Sequence, residues 1–167
     1  MKFGKLSNLK KIRKENRKKN KKICLVSASG GHFEQLCRVK KMLEKYDCFV
    51  VTERTGIQNN TDYLVTQVGL GADNFIKKTI RLFWEVGIIL KKEKPDFVIT
   101  TGTYISFPFM IYCKIWRKKF VYIETFARIS DRTKAGAFMY KFADLFIYQW
   151  KELEKFYPKG IYGGSIY

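Results

Sequence analysis

Apolar residues recur along this chain in two rhythms, short runs of strand formers and longer stretches with helical spacing. Ile23 to Ala28 predicts a first strand, followed by the turn Ser29-Gly30-Gly31-His32 and a helical pattern that turns Leu36, Val39 and Leu43 inward. Cys48 to Thr52 predicts a second strand and Tyr63 to Val68 a third, with a polar loop from Gly56 to Thr61 between them. A long helix is predicted from Asp73 to about Lys92, ended by Pro95, and then a buried strand from Asp96 to Thr101. Tyr104 to Trp116 predicts a helix in which Pro108 sits in the first turn or makes a kink. Phe120 to Glu124 is the next strand, Thr133 to Phe142 a helix, Leu145 to Tyr148 a last core strand, and a short helix is expected near Lys151 to Phe156.

Strands that alternate with helices, several of them apolar on both faces, predict a parallel sheet covered on two sides. The expected fold class is α/β, a Rossmann-like doubly wound sheet with helices on both faces. Ligands of such sheets bind beyond the carboxyl ends of the strands. Unusual residues stand at those ends: 27–32, 53–55, 100–104 and 124–132.

The long helix carries two apolar stripes. Phe75, Thr79, Leu82, Val86 and Ile89 form one; Ile76, Ile80, Phe83, Trp84 and Gly87 form the other; Lys77, Arg81 and Glu85 make the polar line. One stripe covers the sheet. The second, with Ile76, Ile80, Phe83 and Trp84 beside Lys77 and Arg81, suits a helix dipping into an anionic membrane surface. The competing reading packs it between the sheet and a neighbouring helix or subunit.

Charge changes this picture. The chain has 167 residues and a formal net charge of +18, so it suits a single domain with polyanionic partners. Residues 1–22 hold eleven Lys or Arg against one acid, Glu15, which divides the chain into a basic tail, 1–22, and a Rossmann-like domain, 23–167. The tail has no apolar core of the kind found in signal peptides and no stretch long enough to span a bilayer. A cytoplasmic protein held peripherally at the membrane is expected. Nucleic acid is disfavoured as a partner, because the aromatics lie in core-like runs and not between the basic residues as stacking platforms. Cys24, Cys37, Cys48 and Cys113 form no C-x-x-C pair and are expected as reduced core residues; with His32 the only histidine, no metal site is expected.

Ser29-Gly30-Gly31-His32 places two glycines between a strand and a helix start, where backbone N–H groups approach a phosphate closely. A ligand-free tight turn is the alternative. His32 would face the same crevice. Glu53 lies about where a ribose-binding acid would stand in a dinucleotide domain, but the turn is not G-x-G-x-x-G, and a nicotinamide cofactor is disfavoured. Gly102, Thr103 and Tyr104 form a second glycine-bearing exit, with hydroxyls for a pyrophosphate or sugar. Glu124, followed by Arg128 and Arg132, offers a carboxylate as base or sugar ligand and guanidinium groups for phosphate. A surface ion-pair loop is the plain alternative there.

Four of these segments, S-A-S-G-G-H, T-G-T-Y-I-S-F-P, I-E-T-F-A-R and A-D-L-F-I-Y-Q-W, resemble bacterial polysaccharide-biosynthesis proteins related to the membrane-anchoring subunit of the N-glycan N-acetylglucosaminyltransferase. The likeness runs from about Lys22 to the C-terminus. It implies the N-terminal, acceptor-side half of a two-domain GT-B transferase, similar to the enzyme that adds N-acetylglucosamine to peptidoglycan lipid precursors. The UDP-sugar would sit on a partner subunit, leaving no cofactor on this chain. By resemblance, the acceptor is a lipid-pyrophosphate-linked saccharide of capsule or exopolysaccharide assembly. Ser29, Gly30, Gly31, Gly102, Thr103, Tyr104 and Arg128 would hold it, and His32 and Glu124 would be the catalytic candidates. The eukaryotic relatives carry an N-terminal spanning helix where this chain has its basic tail. A non-catalytic scaffold that only recruits and activates the partner is the alternative function. The C-terminal 162–167 segment is the expected partner surface.

Overall fold

The computed structural model describes residues 21–57, 59–69, 71 and 73–167. The strands are β1 (Lys22–Ser27), β2 (Asp47–Glu53), β3 (Tyr63–Val65), β4 (Phe97–Thr100), β5 (Lys119–Ile123), β6 (Leu145–Tyr148) and β7 (Ile161–Tyr162). The helices are α1 (Gly31–Met42), α2 (Phe75–Glu93), α3 (Ser106–Ile115) and α4 (Lys134–Met139), with a short 3-10 helix at Lys151–Leu153. Among the described residues the strands form one sheet, ordered β3-β2-β1-β4-β5-β6-β7, with every pair parallel. The α/β expectation therefore holds. The order reverses direction at β1, which puts the β1 and β4 exits on either side of the crevice where ligands of such sheets bind.

Alternation along the strands divides the core. Ile23 and Leu25 point to one face, where Leu36 and Val39 of α1 cover them; Cys24 and Val26 point to the other. That second face is the larger: Leu82 and Val86 of α2, Phe109 and Cys113 of α3 and Met139 of α4 cover β1 to β6. Each fully buried side chain of this size is worth about 1.5–3 kcal/mol. α2 and α3 touch closely at Gly87, where a Cβ would come within 2.8 Å of the Tyr112 hydroxyl oxygen. That hydroxyl donates to the Phe83 carbonyl at 3.1 Å. Gly87 is thus a helix-packing position and not part of a free stripe.

Several boundaries differ from expectation for local reasons. β3 ends at Val65 and not Val68, because the Thr66 N–H donates to Glu85 of α2 at 2.6 Å and leaves the ladder. Pro108 occupies the first turn of α3, where a missing N–H costs no intrahelical bond. Thr133 caps α4 by accepting the Gly136 N–H at 2.8 Å. β7 was not expected; after the turn closed by Gly160 N–H on the Tyr157 carbonyl at 2.8 Å, Ile161 and Tyr162 pair with Ile147 and Tyr148. β1 begins at Lys22, so the last residue of the predicted tail belongs to the sheet, while residues 1–20 lie outside the described ones. Of the cysteines, Cys24 and Cys113 are buried, with burial pushing the Cys113 thiol up to about 12, whereas Cys48 is half-buried and Cys37 is exposed on α1 rather than in the core. Among the described residues no helix is long and apolar enough to cross a membrane.

Candidate functional site

The β1–α1 turn is built to leave its backbone open. Gly30 adopts φ +79°, a conformation that side chains rarely take, and its carbonyl accepts the Phe33 and Glu34 N–H groups that start α1. Nothing stands within 4 Å of where a Cβ would be on Gly30 or Gly31, so the turn faces free space. Ser29 is fixed from the side: its hydroxyl is 3.1 Å from that of Thr55 and takes the Asn59 amide at 3.1 Å.

His32 joins this turn to the β4 exit. Its Nδ1 lies 2.8 Å from the Thr101 carbonyl oxygen, and the Thr101 hydroxyl donates back to the His32 carbonyl at 3.0 Å. A carbonyl only accepts, so Nδ1 carries a hydrogen, which in the singly protonated tautomer leaves the lone pair on Nε2. Beyond Thr101 the chain turns through Gly102 at φ +111° and Thr103 at φ +76°. Thr103 is β-branched and its conformation is strained; its hydroxyl is buried without a hydrogen-bond partner among the described residues. A Cβ on Gly102 would meet the Tyr122 hydroxyl at 2.9 Å, closer than a side chain allows, while its 3.6 Å approach to His32 Cε1 would be ordinary contact; the need for glycine here comes from Tyr122. Ser106 locks the turn, its hydroxyl 2.7 Å from that of Thr100 and donating to the Gly102 carbonyl at 3.0 Å. Tyr104 turns toward α2, its ring tilted against Phe75 with centroids 5.6 Å apart and its hydroxyl 3.3 Å from that of Thr79.

Ser29, Gly30, Gly31, His32, Gly102 and Thr103 therefore lie around one edge. Glu124 does not share its exposure. The side chain is fully buried, and its carboxyl accepts from the Thr125 N–H at 3.0 Å, the Thr133 hydroxyl at 3.0 Å and the Tyr157 hydroxyl at 2.5 Å. A Cβ on Gly136 would overlap its Oε2. Enclosed by these partners, Glu124 presents no exposed surface in this structure, whereas the sequence predicts a base at this strand exit. Burial together with the Glu124 contact pushes the Tyr157 phenol upward, which keeps it a donor. Arg128 pairs with Asp131 at 2.7 Å on an exposed loop, and none of its hydrogen bonds among the described residues reaches the glycine turn. Glu53 is buried at the end of β2, where burial raises its carboxyl against the opposing Gln67 hydrogen bond.

On α2, Ile76, Ile80 and Trp84 are 73%, 65% and 66% exposed at i, i+4 spacing, beside exposed Lys77 and Arg81. Phe83 departs from the expected stripe: it is half-buried against Tyr112, the ring centroids 6.3 Å apart. Ile88 continues the exposed line, and Ile111 and Ile115 of neighbouring α3 are also exposed, which the periodicity of α2 alone did not reveal.

Residues 65–166 match a family described as "Oligosaccharide biosynthesis protein Alg14 like". A protein of Yarrowia lipolytica named UDP-N-acetylglucosamine transferase subunit ALG14 is 21% identical over 177 residues, covering 88% of this chain and 82% of the relative. Its namesake in Eremothecium gossypii is 24% identical over 112 residues, covering 60% of this chain and 50% of that one. Among solved structures, MurG of Acinetobacter baumannii superimposes with a TM-score of 0.67 at 17% identity, over 79% of this chain and 42% of that one. The UDP-GlcNAc 2-epimerase of Methanocaldococcus jannaschii does so with a TM-score of 0.66 at 13% identity, over 83% and 42%. The chain thus spans less than half the length of these structures. The likeness shows the fold, a parallel α/β sheet matching the N-terminal half of the GT-B architecture.

Proposed function

Because the chain belongs to the Alg14-like family of oligosaccharide biosynthesis proteins, we propose that it is the acceptor-side subunit of a two-component glycosyltransferase. The observation that carries this reading is the His32–Thr101 pair, which fixes the ring through Nδ1 at the β4 exit, beside the open Gly30–Gly31 turn on the carboxyl edge of a GT-B half. A GT-B reaction takes place between two Rossmann-like domains, and the described residues supply one. The relatives named as subunits of a UDP-N-acetylglucosamine transferase support a partner that holds the UDP-sugar.

In this reading the acceptor is a lipid-pyrophosphate-linked saccharide of capsule or exopolysaccharide assembly. Its hydroxyl attacks the anomeric carbon of the UDP-sugar while His32 Nε2 takes the hydroxyl proton. The new C–O bond forms as the bond to UDP breaks, the electron pair leaves with UDP, and the configuration inverts. Thr101 acts as a positioning residue through His32 Nδ1. Gly102 and Thr103 shape the acceptor side with Tyr104 packed behind them on α2, and Glu124 holds the loop after β5 without touching the sugar. Ile76, Ile80 and Trp84, flanked by Lys77 and Arg81, rest on the cytoplasmic face of the membrane. The basic 1–22 segment adds about 1 kcal/mol per Lys or Arg close to an anionic leaflet.

A tagged full-length chain recovered from its own cells should bring down, in equal amounts, a second small chain that binds UDP-sugar in calorimetry. Recovery of this chain alone, itself binding UDP-sugar, would contradict the two-component reading.

A further inference from the structure

A cleft of about 460 Å³ opens where β2 and β3 end and α2 begins, lined by Arg54, Thr66, Asn74, Lys77, Lys78 and Arg81. Its positive charge is only partly compensated. Glu85 Oε1 serves two of the four cations, lying 3.1 Å from Arg81 Nε and 3.9 Å from Arg54 Nη1, while its other oxygen is taken by the Thr66 N–H. Lys77 and Lys78 have no ion-pair partner among the described residues, and the first turn of α2 holds no acid. Positive groups gathered around one hollow repel each other, and an anion placed among them relieves that repulsion. The Thr66 hydroxyl is buried at the same place without a hydrogen-bond partner among the described residues.

The surroundings give the cleft a direction. On one side lies an apolar hollow that shares Asn74 and Lys77 with it and is walled by Phe75, Ile76 and Ile80. On the other, Arg54 is followed by Thr55, whose hydroxyl is 3.1 Å from Ser29 at the start of the glycine turn. Apolar stripe, cationic cleft and His32 edge thus follow one another across the surface. A polyprenyl chain, its pyrophosphate and its sugar have the same order.

We propose that the cleft of Arg54, Lys77, Lys78 and Arg81 seats the pyrophosphate of a polyprenyl-linked acceptor. This rests on the acceptor-subunit reading and moves the pyrophosphate off the Gly30–Gly31 turn, leaving the turn and His32 to the sugar. Arg54, positioned by its Nη2 donating to the Leu64 carbonyl at 3.1 Å, offers its remaining guanidinium hydrogens, and the two lysines offer mobile point charges.

The test uses the full chain sedimented with phosphatidylcholine vesicles that contain polyprenyl pyrophosphate, or phosphatidylglycerol at equal surface charge. The wild type should prefer the pyrophosphate vesicles, and inorganic pyrophosphate should compete. The double variant Arg54→Gln/Lys78→Gln should lose that preference, its affinity for pyrophosphate vesicles falling about tenfold or more. Lys91→Gln/Lys155→Gln removes the same charge elsewhere and should keep the preference. Equal losses in both variants, no loss in the cleft variant, or no preference over phosphatidylglycerol in the wild type would overturn the proposal. If the wild-type pair transfers no sugar while the pyrophosphate preference stands, the transferase reading fails and the cleft survives. If the pair carrying the cleft variant transfers at the wild-type rate from subsaturating acceptor, the cleft fails alone.

Discussion

Replacing His32 by alanine in the assembled two-component enzyme should lower kcat by about 10²- to 10⁴-fold, the usual contribution of a positioned general base. The size follows from geometry. The Thr101 carbonyl at 2.8 Å holds the ring in one tautomer, so the nitrogen that would take the acceptor proton needs no reorganisation. The substitution should leave the fold intact, because the half-exposed ring gives up one hydrogen bond, worth about 1 kcal/mol. His32→Gln should fall nearly as far, since an amide has no basic nitrogen. Steady-state turnover with partner binding followed in parallel checks both variants. Unchanged turnover with the partner retained would assign the chain a scaffolding role and leave the base to the other subunit.

Glu124→Ala should act on the fold. Three donors converge on this buried carboxyl, the half-buried Thr125 N–H and Thr133 hydroxyl and the fully buried Tyr157 hydroxyl, and removing it leaves all three without their partner. At about 1–3 kcal/mol for each orphaned group, the loss should exceed about 3 kcal/mol. In a domain of this size that lowers Tm by about 6 °C or more. Tyr157→Phe removes a single donor and should cost roughly a third as much. Thermal unfolding of the full chain measures both. A Glu124→Ala chain that melts like the wild type yet abolishes turnover in the pair would return Glu124 to the chemistry.

The two residues were legible to different degrees. His32 follows a glycine pair between a strand and a helix start, and that local pattern already places it on the carboxyl edge of a parallel sheet. Its Thr101 partner, sixty-nine positions on, is visible only once β1 and β4 are neighbours. Glu124 also follows a strand and looks the same in sequence. What buries it is Tyr157, thirty-three positions later, and the closeness of α4 at Gly136, and neither leaves a local signal. The alternation of strands and helices carried most of the fold, because strands apolar on both faces must be covered twice. It missed β7, whose two residues are exposed and have no apolar run to mark them. In α2 the repeat separated the two faces correctly at Leu82 and Val86 against Ile76 and Ile80, but it assigned Gly87 and Phe83 to the free face; a glycine has no side chain to show that Tyr112 of α3 fills its place. The basic cleft escaped for a similar reason, since Arg54 and Lys78 belong to segments that only the β2–β3–α2 geometry brings together.

The most direct measurement is transfer of labelled sugar from UDP-sugar to a polyprenyl-pyrophosphate-linked saccharide in vesicles, run with this chain alone, the partner alone and the two together. Neither chain alone should give turnover above background, and the pair should give steady transfer with the label in the lipid phase. Robust turnover by the isolated chain, or a pair that stays inert although it assembles and binds both substrates, would contradict an acceptor-side half-transferase.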